Sequence, residues 1–107
     1  MKTFHLGTIL TILTGWALAP GGLPAVQELL EYMTGERPLD LGVIRAYMQA
    51  RIDLRHQFPH LADIHVPRLA SPTDRADWLA VQASRFGEQH TVRPISNSGL
   101  VLTAKEI

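Results

Sequence analysis

The sequence predicts a mainly α fold, a small four-helix domain with a C-terminal β-hairpin as a lesser element. Four stretches repeat apolar residues at intervals of three and four, the spacing of one helix face, and each is closed by Gly or Pro. The chain has 107 residues, 46% hydrophobic and 19% charged. That is enough apolar material for one core and too little charge for disorder, so a single domain over residues 1–107 is expected.

The first helix is predicted over 6–14. Leu6, Ile9, Leu10 and Leu13 share one face, Thr8, Thr11 and Thr14 form a polar one, and Gly15 supplies a left-handed C-cap. The second is predicted over 23–34, with Pro24 in its first turn, Leu23, Val26, Leu29, Leu30 and Met33 as the buried stripe, and Gly35 as the stop. The third and longest is predicted over 40–58, with Asp40 as N-cap and Pro59 ending it. The fourth is predicted over 72–86: Ser71 caps it, Pro72 takes the first position, Asp74 follows, and Gly87 closes it. Its core face is read as Ala76, Leu79, Ala83 and Phe86. The segment from His60 to Leu69 reads as a loop. In the tail, Thr91–Ile95 and Leu100–Thr103 flank Ser96-Asn97-Ser98-Gly99, which predicts the hairpin over 91–103 with Pro94 confining its strand to an edge.

The long helix organises the reading. Leu41, Ile44, Tyr47, Met48 and Phe58 fall in one stripe at about 100° per residue, and Arg51 and Arg55 fall inside it. A buried stripe rarely carries two guanidiniums without a reason. Either they meet carboxylates inside the fold, or the stripe emerges as a docking surface.

Composition excludes several functions. Ten basic and ten acidic residues cancel, so no global field draws the chain to nucleic acid or to an anionic membrane. The absence of cysteine removes disulfides, thiolate metal sites and thiol nucleophiles. The run from Leu6 to Ala19 imitates a signal peptide, with Ala17-Leu18-Ala19 at its end. Its threonines and glycines, and Pro20 just after, argue against secretion, and it is short for a membrane span.

No catalytic constellation stands out. There is no Gly-x-Ser-x-Gly elbow, and no glycine-rich loop follows a strand. His56, His60 and His65 cluster with Asp63, but Pro59 breaks the helical spacing a metal site would use. A non-enzyme without metal or cofactor is therefore expected. Arg, Tyr, Trp and Met anchor protein interfaces, and Tyr47, Met48, Arg51, Arg55, Trp78 and Arg85 are the candidate partner-binding residues. A small nucleic-acid-binding regulator is the runner-up, resting on the arginines at 45, 51, 55, 68, 75 and 85. A virion assembly protein is the third reading.

Particular stretches carry a resemblance. Phe4-His5-Leu6-Gly7-Thr8-Ile9-Leu10, Leu13-Thr14-Gly15, Leu29-Leu30-Glu31-Tyr32-Met33-Thr34-Gly35 and Gln57-Phe58-Pro59-His60-Leu61 resemble an uncharacterised domain-of-unknown-function family of small proteins in phages and prophages. Trp78-Leu79 and Arg85-Phe86-Gly87-Glu88 are similar to the tail of longer members. The departure is Pro38-Leu39-Asp40, which leads straight into a helix where members carry a Thr-His-Gln-Leu-Pro-like loop. The resemblance transfers no site residues. It implies an accessory protein of a mobile element, working in the host cytoplasm by binding a host protein or a defence complex, as anti-CRISPR proteins do.

Overall fold

The computed structural model describes residues 1–35 and 41–95. Among them the order is β1 (Lys2–His5), α1 (Leu6–Thr14), α2 (Gly22–Thr34), α3 (Leu41–Gln57), α4 (Pro59–Ala62), α5 (Pro72–Phe86) and β2 (Gln89–Val92). The fold is mainly helical, with a two-stranded antiparallel sheet near the termini.

α1 is the centre. Leu6, Ile9, Leu10 and Ile12 are fully buried, and Thr8 and Leu13 nearly so. A helix apolar all round must be wrapped, and α2, α3, α4 and β1 pack around it. The polar threonine face expected on this helix is therefore corrected: Thr8 is inside the core, while Thr11 and Thr14 turn their hydroxyls back onto the carbonyls of Gly7 and Leu10, each at 2.7 Å. Such back-bonding satisfies the hydroxyls of two part-buried side chains within their own helix.

α2 buries Val26, Leu29, Leu30 and Met33, but Leu23 is 66% exposed. Leu23 sits in the first turn, before the helix reaches its neighbours. On α5, Ser71 caps the helix by accepting from the Asp74 N–H at 3.1 Å, as the Ser-Pro-Thr-Asp pattern predicts. Its inner face is centred on Leu79 and Gln82, and Ala76 is exposed rather than core. The start of the loop expected from His60 is instead part of a helical turn, Pro59–Ala62, with proline at its first position and Leu61 buried.

β2 pairs with β1, Lys2 opposite Val92 and His5 opposite Gln89. The strand expected from Thr91 thus starts earlier and finds its partner at the other end of the chain; Pro94, which has no N–H to offer a ladder, lies just beyond it. The other half of the expected hairpin, Leu100–Thr103, lies outside the described residues, as does the expected N-cap Asp40. The chain after β2 is tied down by Tyr32, whose hydroxyl donates to the Val92 carbonyl at 2.8 Å, and by the Ile95 N–H, which donates to the Met33 carbonyl at 2.9 Å.

α5 reaches the core over Gly7. A Cβ at Gly7 would stand 2.5 Å from the Leu18 carbonyl oxygen, 2.8 Å from Leu79 Cδ2 and 2.9 Å from Pro20 Cδ. Alanine would gain up to about 1 kcal/mol of helix propensity, but backbone cannot rotate away from the clash, and overpacking costs about 1–3 kcal/mol. Gly7→Ala is expected to lower the melting temperature by several degrees; an unchanged melt would show that α5 and the 15–20 loop do not need this close approach.

Candidate functional site

The candidate residues of α3 divide between two faces. The inward face is built from small side chains: Ala46, Ala50 and Leu54 are buried, and Phe58 follows just past the helix end. Two larger residues at its margin reach across to α1. The Tyr47 hydroxyl donates to the Thr11 carbonyl at 2.6 Å, and Arg51 Nε donates to the Ile12 carbonyl at 2.8 Å. Arg51 also lies over the Tyr47 ring, 5.1 Å from its centre. Both carbonyls lie in the last turn of α1, at the negative end of the helix dipole; that of Thr11 also accepts from the C-cap Gly15 N–H, while that of Ile12 has no helical donor among the described residues and takes the guanidinium in its place. Among the described residues Arg51 therefore meets no carboxylate, which was one of the two outcomes expected of it. It caps the part-buried C-terminus of α1.

The outward face carries Ile44 at 60% exposure, Met48 at 59% and Ile52 at 59%, spaced four residues apart. The buried stripe read from sequence is thus corrected by roughly a quarter turn of the helix. Ile44 and Met48 face solvent, because the alanines, not the largest apolar residues, make the close approach to α1 and α2. Ile52 had not been singled out; its position four after Met48 and eight after Ile44 was the available signal. Arg55 falls between Ile44 and Met48 around the helix, and Arg45 beside Ile52. Both are exposed and make no hydrogen bond or ion pair among the described residues. Asp53 lies at the far margin, where it accepts from Gln57 at 2.6 Å. The same Gln57 carboxamide holds the Arg93 backbone with two bonds of 2.9 Å, tying the helix end to the chain after β2.

Trp78 and Arg85 are brought together elsewhere, on α5. They line a cavity of about 520 Å³ between α5 and the α4 region, with His60, Asp63, His65 and Phe86. Arg85 lies 5.0 Å above the Phe86 ring, and the His60 ring is 5.9 Å from Phe86. His56 is not part of that lining. Among the described residues no three His, Asp or Glu side chains stand close enough to hold a metal ion, and no helix is long and apolar enough to cross a membrane.

Residues 4–64 match the model of a family described as a domain of unknown function (DUF7736). That stretch runs from β1 to just past α4, and includes the whole of α3. No curated protein and no solved structure matches the chain.

The two arginines of α3 should separate cleanly. Arg51→Ala removes a charged donor from a part-buried carbonyl and is expected to cost about 1.5–3 kcal/mol. Arg55→Ala is expected to stay within about 0.5 kcal/mol. Chemical denaturation of the two variants checks this; equal stabilities would show that the capping of α1 by Arg51 contributes nothing.

Proposed function

We propose a function for a chain that belongs to the DUF7736 family: it binds another protein, without catalysis of its own, and the outward face of α3 is where the partner docks. The observation that supports this reading is the row Ile44, Met48 and Ile52, three large apolar side chains left more than half exposed along a 17-residue helix. Burying such a side chain is worth about 1.5–3 kcal/mol, so a contiguous row of them is a ready source of binding energy.

Charge narrows the partner. Arg55 within the row and Arg45 beside it are unpaired among the described residues, while the one carboxylate of this helix, Asp53, is engaged by Gln57. The complementary surface is apolar and edged with carboxylates. An acidic amphipathic helix laid along α3 has that chemistry. A phosphate backbone fits less well, since isoleucine and methionine occupy the centre of the face and the chain has no net charge to draw a polyanion. The resemblance to small phage and prophage proteins supports a host protein as the partner, with inhibition of a bacterial defence complex in the host cytoplasm as the outcome.

The test compares immobilised wild-type protein, Met48→Glu and Val81→Glu in a host lysate. Val81 is an exposed apolar residue of α5 and serves as the control. The expected result is a host protein held by wild type and by Val81→Glu but not by Met48→Glu, since a charge at the centre of an interface costs about 2 kcal/mol or more. All three should melt alike, surface changes staying near ±0.5 kcal/mol. Equal retention by the three proteins would remove α3 from the functional account.

A further inference from the structure

We propose that the cavity between α5 and the α4 region binds a nucleotide, in a site separate from the docking face of α3. At about 520 Å³ it falls inside the ~300–1,000 Å³ range of small-molecule sites. Trp78, Gln82 and Phe86 line it from α5, spaced four residues apart on one face of that helix. His60, Asp63, His65 and Arg85 complete its polar lining on exposed positions, Asp63 being the one carboxylate among them.

Gln82 singles this cavity out. It is only 7% exposed, yet its carboxamide makes no hydrogen bond among the described residues. Buried polar groups are paired in nearly every native structure, and one left unpaired is costly enough to call for an explanation. An apolar residue of the same shape would serve packing better. A carboxamide presents a donor and an acceptor side by side, and the edge of a nucleobase presents their complement; glutamine reads adenine in this two-bond manner.

The other groups suit the rest of the same ligand. The Trp78 indole and the His60 imidazole are planar surfaces of the kind on which unstacked bases pack. Arg85 has no ion pair among the described residues and is held over the Phe86 ring. A guanidinium fixed in that way suits a phosphate. A nucleobase on the amide and a phosphate on the arginine would occupy both of these polar groups at once. A free nucleoside monophosphate and an unpaired nucleotide in a single strand share this chemistry. A lone water on Gln82 is the competing explanation.

The experiment titrates the full chain, by calorimetry, with AMP, GMP, CMP and UMP in turn and with a short single-stranded oligoadenylate. At least one probe is expected to bind with a Kd below about 1 mM. Gln82→Met is expected to weaken binding about tenfold or more while melting at or above the wild-type temperature, because it replaces an unpaired amide with an apolar chain of similar length. Arg85→Ala should weaken binding and flatten its salt dependence. Met48→Glu should bind the nucleotide as wild type does, which keeps this site distinct from α3. Tighter binding of the oligonucleotide than of AMP identifies a strand as the source, and the reverse identifies the free nucleotide. Absence of binding by every probe at millimolar concentration overturns the proposal. So does undiminished binding by Gln82→Met, or a Gln82→Met melt far below wild type, which would mean that the amide is satisfied within the fold by water.

Discussion

The C-terminal end of α1 is the constraint to which the other elements answer. A nine-residue helix with seven buried residues can give few of its end groups to water, so partners for them are found inside the protein. At the N-terminus, His5 Nδ1 accepts from the Gly7 N–H at 2.9 Å, and the Glu88 carbonyl takes the Leu6 N–H at 2.8 Å. At the other end the Gly15 N–H closes onto the Thr11 carbonyl at 2.9 Å, and Tyr47 and Arg51 bring in α3. The loop beyond is held through Leu18, whose N–H donates to Thr11 Oγ1 at 3.0 Å. The central helix is thus capped both by its immediate neighbours, His5 and Gly15, and by Tyr47, Arg51 and Glu88 far from it in sequence, and these distant caps tie α3 and the loop before β2 to it.

That arrangement explains why α3 can serve two purposes. Its inner face is small, Ala46 and Ala50, so the backbone comes close and the long side chains of Tyr47 and Arg51 reach the end of α1 from the margin. With packing met by alanines and Leu54, the larger apolar residues of the same helix are left on the outside. Had Ile44, Met48 and Ile52 been needed for the core, the helix would have turned about its axis and carried Arg51 away from the carbonyl it caps. Keeping Arg51 on α1 and keeping the apolar row in solvent are consequences of one helix orientation.

α5 follows a different logic. It is placed over Gly7 through Leu79 and has its own capping signals, Ser71 at its start and Gly87 at its end. Its cavity joins residues from inside the family-matched stretch, His60 and Asp63, to others beyond it, Trp78, Gln82 and Arg85. The α3 face lies wholly within that stretch. The two candidate sites therefore differ in place as well as in chemistry, one lying within the family-matched stretch and the other where α5 packs against it.

Local signals determined the helices. Gly15, Gly35 and Gly87 end α1, α2 and α5 with positive φ, Pro59 ends α3, and Ser71 starts α5; each acts through its own few neighbours, so each was legible in the sequence. The burial of Leu6, Ile9, Leu10 and Leu13 was legible for the same reason, since a periodic apolar face needs no knowledge of what covers it. Three features were decided only by tertiary structure. The rotation of α3 depended on a close approach that favours alanine, which a reading weighted by apolar size sets a quarter turn off. The pairing of β1 with β2 joins the N-terminal strand to residues 89–92, and no local pattern records such a partner. The assignment of Arg51 to a carbonyl and of Arg55 to solvent turned on the position of the end of α1. A sequence carries the energy of each residue's neighbours along the chain, while orientation and pairing are set by neighbours across space, and here those neighbours are the unpaired groups at the ends of a buried helix.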